Sequence, residues 1–251
     1  MEFNIDPVAF TIFGIDIMWY AVLITSGILL GIFLTGKLAK IKNLDPEMPS
    51  DLLLWAIIPA IIGARIYYVV FSWDYYSKNP SEIINIRNGG LAIYGGLLVA
   101  FLVAYIFSKK RNIPYLTILD IFAPGIALGQ AIGRWGNFIN QEAYGTPTDL
   151  PWGIIIDGTK VHPTFLYESL GDFLIFLLLF NICRKNRHQK GTVIALYFIL
   201  YGILRFFVEG MRTDSLYFLG LRVSQILSLI LVVIGSVIYF TNRKKSKILQ
   251  K

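Results

Sequence analysis

The sequence is poor in the residues that build disulfide frameworks and metal centres. Cys183 is its only cysteine, so neither an intramolecular disulfide nor a cysteine-based metal site can form within one chain. The two histidines, His162 and His188, fall in segments expected on opposite faces of a membrane, which argues against a zinc cluster. No cofactor-binding constellation is present either, and no cofactor is expected. Charge is also scarce. Asp, Glu, Lys and Arg make up 16% of 251 residues, against 55% hydrophobic residues and a mean hydropathy of +0.61, far from the composition of a soluble domain. The opening "MEFNIDPVAF" lacks a basic n-region, and no small-residue cleavage site follows the first apolar run, so that run is expected to remain in the mature protein.

What the chain does have is long apolar runs. Crossing about 30 Å of hydrocarbon takes about 20 residues of helix, and seven candidate spans fall near residues 15–36, 52–73, 91–108, 116–134, 163–183, 191–210 and 222–241. The net charge of +7 is distributed by loop. Fifteen of the 23 Lys and Arg lie in alternate connections and the C-terminal tail, around Lys37 to Lys42, Lys109 to Arg111, Arg184 to Lys190 and Arg243 to Lys251. By the positive-inside rule these mark the cytoplasm, so the N-terminus is expected outside and the C-terminus inside. The basic tail then reads as a topology anchor beside anionic lipid, and no nucleic-acid partner is expected. The expected architecture is an all-α polytopic membrane protein: a single transmembrane domain over 1–251 with seven transmembrane helices. Outer segments 74–90 and 135–162, rich in turn residues, are expected to form a small extracytoplasmic cap.

With directions assigned, costly polar groups gather in one layer. Arg65 lies fourteen residues past Asp51, roughly 21 Å toward the outside at 1.5 Å per residue. Tyr20, Tyr94, Arg134, His162, Tyr167, Glu168, Arg205 and Glu209 all fall near the outer ends of their spans. Arg205 and Glu209 are helical neighbours at i and i+4 and can be read as a self-neutralising pair. Arg65, Arg134 and Arg212 leave more guanidinium than nearby acid, an excess that suggests a missing anion, and the planar fork of Arg suits phosphate. Glycines Gly125, Gly129 and Gly133 recur on one face of the fourth span, as expected for close helix packing. In "GGLAIYGG", Gly89 to Gly96, the glycines can serve packing or let backbone approach a ligand. Asp120 and Asp172 are the acids that fall below this layer, at a helix end or in a packing contact.

The stretch "GRWGNFINQEAYG", Gly133 to Gly145, resembles the signature of bacterial prolipoprotein diacylglyceryl transferases. "DIMWYAVL", "GGLAIYGG", "HPTFLYES" and "RFFVEGMRTD" follow the same family's order, so the resemblance covers nearly the whole chain. It implies seven transmembrane helices with an extracytoplasmic cap in the bacterial plasma membrane. It also implies transfer of the diacylglyceryl group of phosphatidylglycerol to the lipobox cysteine of a prolipoprotein signal peptide, giving a thioether and glycerol phosphate. Carried over by position, Arg134 and Arg205 resemble the phosphate-binding pair, with Asn137, Asn140, Glu142 and Gly145 completing the signature. Tyr20, Glu209 and Arg212 also fall on family positions, and Gly95 and Gly96 form the second glycine pair. Well-known members carry histidine where Tyr94 stands; a phenol with a reference pKa near 10 is a poor resting base, so Tyr94 is expected to orient or relay while Glu142 or Glu209 shares the base role. Two other readings stay open on sequence: a transporter or binding protein for an anionic lipid or metabolite, which predicts polar groups continuing to the cytoplasmic side, and an inactive relative.

Overall fold

The computed structural model describes residues 5–86 and 89–249. Arg87 and Lys251 lie outside them, as do the side chains of Lys244, Lys245 and Lys247. Seven helices are long and apolar enough to cross a membrane. They are α1 (Trp19–Ile41), α2 (Met48–Phe71), α4 (Ile93–Lys110), α5 (Tyr115–Ile139), α6 (Thr164–Lys185), α7 (Thr192–Met211) and α8 (Val223–Leu249), with a short α3 (Trp73–Tyr76) after α2.

Helix α5 is the centre of the bundle. It packs against α1, α6 and α7, while α2 pairs with α4 and α8 lies along α7. Half of the α5 span is buried within the protein, against 11% of the α8 span. In hydrocarbon, apolar burial gives little drive for helix association, so contact depends on small residues that let backbones approach. A Cβ placed on Gly27 of α1 would sit 3.2 Å from Gly129 Cα, and one on Gly31 would sit 3.0 Å from the Gly125 carbonyl. The glycine ladder of the fourth span is therefore a packing seam with α1. Gly95 and Gly96 serve the same purpose, meeting Gly63 and Ala60 of α2.

Two helix ends differ from the sequence expectation. The first span begins at Trp19, because Val8–Ile12 (β1) and Ile15–Met18 (β2) form an antiparallel hairpin ahead of it. The fourth continues to Ile139, five residues beyond Arg134, because no helix-stopping residue intervenes and the ring of Tyr20 lies over Gly136. Arg134 and Asn137 are thus carried on a rigid helical turn.

At the Arg134 end, Ile154–Ile156 (β3) and Thr159–Val161 (β4) form a hairpin around an Asp157-Gly158 turn, both residues having positive φ. A third hairpin, Tyr217–Phe218 (β5) and Leu221–Arg222 (β6), leads into α8. The connection between α5 and α6 has its own apolar cluster: Ile154, Ile156 and Val161 pack on Phe165 at the start of α6, flanked by Phe138 and Tyr144. Backbone bonds stitch it to the bundle, from Gly145 N–H to the His162 carbonyl at 3.0 Å and from Thr146 N–H to the Met211 carbonyl at 2.8 Å.

Buried acids at the opposite end have structural partners. Asp120 of α5 accepts the Gly191 and Ile194 N–H groups at 2.7 and 2.9 Å, placing an anion on the positive N-terminus of α7. Cys183 is buried there, its Sγ 3.7 Å from the Asp120 carbonyl.

Candidate active site

The bundle brings Arg134 from α5 and Arg205 from α7 to a single carboxylate on α6. Glu168 Oε1 lies 3.0 Å from Arg134 Nη2 and 2.7 Å from Arg205 Nη1, and its side chain is 2% exposed. Arg205 also donates from Nη2 to Glu209 Oε2 at 2.5 Å, the expected i, i+4 pair. Glu209 is held further by Arg222 of β6, whose Nη1 donates to the Glu209 backbone carbonyl.

On the cap side, Arg134 Nη1 donates to Asn137 Oδ1 at 3.4 Å, and Asn137 Nδ2 donates to Glu142 Oε1 at 2.8 Å. Asn140 Nδ2 reaches the same oxygen at 3.5 Å. Glu142 can approach its asparagines because α5 ends in a tight turn, with Gln141 and Ala143 both at positive φ and the Glu142 N–H donated to the Asn137 carbonyl at 3.0 Å. One polar chain thus runs from Asn140 and Glu142 through Asn137, Arg134, Glu168 and Arg205 to Glu209. Tyr20 adjoins it across Gly136.

Other expected site residues sit elsewhere in the fold. Arg65 is buried and donates to five backbone carbonyls, those of Glu82, Ile83, Asn85, Gly89 and Gly90, at 2.6 to 3.1 Å. It fastens the segment after α2. Arg212 makes a two-point pair with Asp214, Nε–Oδ1 at 2.9 Å and Nη2–Oδ2 at 2.7 Å. The hydrogen bonds from Arg212 hold the Asp214 carboxyl below the usual carboxylate range. The expected excess of guanidinium is therefore corrected. Arg65 is met by carbonyls and Arg212 by an adjacent aspartate, which leaves Arg134 and Arg205 facing Glu168 and Glu209.

Gly145 joins two segments, bridging Arg212 in sheet fashion, and a Cβ there would lie 2.7 Å from His162 Cβ. His162 Nδ1 lies 3.2 Å from the Tyr167 hydroxyl, just ahead of α6. Tyr94 opens α4, with its ring 6.5 Å from that of Tyr67 on α2. Gly95 is buried against α2 and Gly96 faces Ala60 of the same helix, so their placement follows the α2–α4 seam. Among the described residues no group of His, Cys, Asp and Glu is arranged to hold a metal ion.

Arg134 and Arg205 thus converge on an internal carboxylate at one end of the seven-helix bundle, and comparison with known proteins gives the family. The model of the family described as prolipoprotein diacylglyceryl transferase matches residues 7–241. The chain belongs to that family. It is 60% identical over 240 residues to a phosphatidylglycerol--prolipoprotein diacylglyceryl transferase of Finegoldia magna, covering 96% of this chain and 97% of the relative. Proteins of the same name from Clostridioides difficile and Streptococcus agalactiae are 52% and 50% identical, over 96% and 97% of this chain and 97% and 98% of theirs. In this member of the diacylglyceryl transferase family, Glu168 is the residue on which the arginine pair converges, and Arg222 supports Glu209. In sequence Glu168 is legible only as one of the polar residues near the span ends, with no role attached, and Arg222 gives no site signal. Glu168 lies within "HPTFLYES", thirty-four residues from Arg134, and only the packing of α6 between α5 and α7 joins them.

Proposed function

We propose that this protein is a multi-pass enzyme of the bacterial plasma membrane that moves the diacylglyceryl group of phosphatidylglycerol onto the lipobox cysteine of a prolipoprotein signal peptide. The observation that carries the reading is the convergence of Arg134 and Arg205 on one anion position, in a chain at 60% identity to a named transferase. On this reading the helix end bearing the site is the outer one, and the segments after α2 and after α5 lie on the extracytoplasmic side.

The chemistry suits these side chains. The cysteine sulfur attacks the glycerol carbon as the carbon–oxygen bond to phosphate breaks, and glycerol phosphate leaves with the bond's electrons. Charge grows on the phosphate oxygens in that step, so two fixed guanidinium groups would stabilise the transition state more than the ground state. Arg205, 13% exposed, works where the dielectric is low and a fixed cation is worth more than in water. The thiol, with a free pKa near 8.5, must lose its proton. Glu142 stands at the exposed mouth of the polar chain within reach of an incoming peptide, while Glu209 is tied to Arg205. Tyr94 would orient or relay, and Tyr20 and Asn140, which adjoin the polar chain, would shape the surroundings of the lipid and peptide. The nucleophile arrives on the substrate, and the chain's own thiol, Cys183, is buried at the other end.

The test is reconstitution with phosphatidylglycerol and a lipobox peptide, followed by mass spectrometry of the peptide. A diacylglyceryl mass gain is expected, absent when the peptide cysteine is serine and absent with Arg205→Ala. A folded protein giving no gain with a peptide that an active relative modifies would overturn the assignment.

A further inference from the structure

Among the buried acids, Asp172 has no evident reason to be where it is. It lies on α6, fully buried, and neither carboxylate oxygen has a hydrogen-bond partner among the described residues. Every other fully buried acid is satisfied: Asp120 by the N-terminus of α7, Glu168 by two arginines, Glu209 by Arg205. An unpaired carboxylate inside a membrane bundle costs several kcal/mol and marks function by default.

Its position suggests what it serves. Asp172 is four residues past Glu168, so the two acids share a face of α6 one turn apart. Asp172 lies about 6 Å deeper along the helix. The charged and titratable groups bearing on it are Glu168 on its own helix, Arg134 from α5, and Arg205, Tyr197 and Tyr201 from α7. Tyr197 is already committed, donating to Gln130 Oε1 at 2.8 Å. A lipid phosphate entering between Arg134 and Arg205 must displace Glu168, the anion that now fills that position. The displaced carboxylate then needs a hydrogen-bond donor in a dry site, and Asp172 is the acid within one turn of it with both oxygens unengaged.

We propose that Asp172 is the alternate seat for the Glu168 carboxylate, carrying the proton through which the two acids pair when the phosphate of an anionic lipid takes Arg134 and Arg205. The inference rests on the transferase reading for the lipid, phosphatidylglycerol, and adds a gate. Glu168 keeps the arginine pair neutralised and closed to stray anions until a phosphate worth the exchange arrives. Asp172 touches no substrate and is a positioning residue.

Lipid binding and the Asp172 proton are then linked. The lipid-bound protein holds that proton more tightly, because it hydrogen-bonds Glu168, so affinity is high at low pH and falls as the lipid-free protein gives the proton up. The decline is at most tenfold per pH unit for one linked proton. Asn at position 172 offers a permanent N–H donor, and Leu offers none.

The experiment measures the Kd of the intact protein for phosphatidylglycerol in neutral-lipid nanodiscs between pH 5.5 and 9.5, where the lipid phosphate keeps one charge. Expected results are a Kd that rises with pH in the wild type, a tight and pH-independent Kd in Asp172→Asn, and a weak and pH-independent Kd in Asp172→Leu. Glu168→Gln, which needs no proton to leave the arginines, should also bind independently of pH and covers the case in which the Asp172 variants fail to fold. A flat wild-type profile overturns the proposal. So does a pH dependence that survives in Asp172→Asn or in Glu168→Gln, which would place the titration elsewhere, for instance on His162 in the cap. Peptide transfer is assayed on the same samples. Transfer with a flat Kd removes the gate alone, whereas neither transfer nor phosphatidylglycerol binding removes the transferase reading beneath it.

Discussion

Arg134→Lys separates a two-point clamp from a simple positive charge. Arg134 uses different nitrogens for different tasks: Nη2 meets Glu168 of α6 at 3.0 Å, and Nη1 meets Asn137 on its own helix at 3.4 Å. A lysine ammonium is a single point on a flexible stem and cannot hold both, nor can it present a planar fork to two phosphate oxygens. One hydrogen bond involving a charged group contributes about 1.5–3 kcal/mol. Lost in the transition state, that amounts to about a 10- to 150-fold fall in kcat/KM. The fold should survive, because Glu168 keeps Arg205 at 2.7 Å and is not left as an unpaired charge. The assay is initial-rate transfer to a lipobox peptide across a range of phosphatidylglycerol fractions, with thermal unfolding run in parallel. A fall in kcat/KM with an unchanged melting temperature supports the clamp. Activity within about threefold of wild type, well under 1 kcal/mol, would show that charge alone suffices and would refute it.

Four further outcomes are expected. Asp120→Ala removes the acceptor of two buried N–H groups at the start of α7 and should lower unfolding stability by about 2–5 kcal/mol, with Asp120→Asn losing about half as much, read by denaturation in detergent micelles. Gly145→Ala forces a Cβ to within 2.7 Å of His162 Cβ between two stitched segments, and should cost about 1–3 kcal/mol together with cap order measured by limited proteolysis. Tyr94→Phe should reduce transfer if the phenol orients or relays; full activity would eliminate that role. Because Arg212 depresses the Asp214 pKa, the pair's contribution to stability should be fully present above about pH 4, the unfolded carboxylate value, and fade as pH falls through the lower folded value. The stability difference between wild type and Asp214→Asn should therefore persist at pH 5 and shrink only in stronger acid; a difference already gone at pH 5 would contradict the pairing.

How far sequence carries depends on the range of the interaction being read. The seven spans are legible because one local quantity, a run of about 20 apolar residues, decides them. Hairpins are legible only where their turns announce themselves. Gly158 is one of the turn residues of segment 135–162, and Asp157-Gly158 is a pair suited to positive φ. Phe13-Gly14 and Leu219-Gly220 adopt the same positive φ values with a bulky apolar residue in first position, so β1–β2 and β5–β6 gave no comparable signal. Helix α5 runs past its expected end near residue 134 because the polar residues after Arg134 do not stop it and Gly136 packs under Tyr20 of a different helix.

The same reasoning explains the partial view of the site. The dense signature placed Arg134, Asn137, Asn140 and Glu142 together, since they lie within one turn of helix and the loop that follows it. Counting charges by depth went further than it should. Backbone carbonyls are invisible to such a count, yet five of them satisfy Arg65 and another receives Arg222. With those removed, two arginines face two glutamates, and the centre is neutral as it stands. Neutrality changes what an anionic substrate must do. On the proposed function it would meet a site already filled by Glu168, and its affinity would be the difference between two ion pairs rather than the strength of one. That difference can be small while each pair is strong, a way to hold guanidinium in a membrane without trapping every passing phosphate.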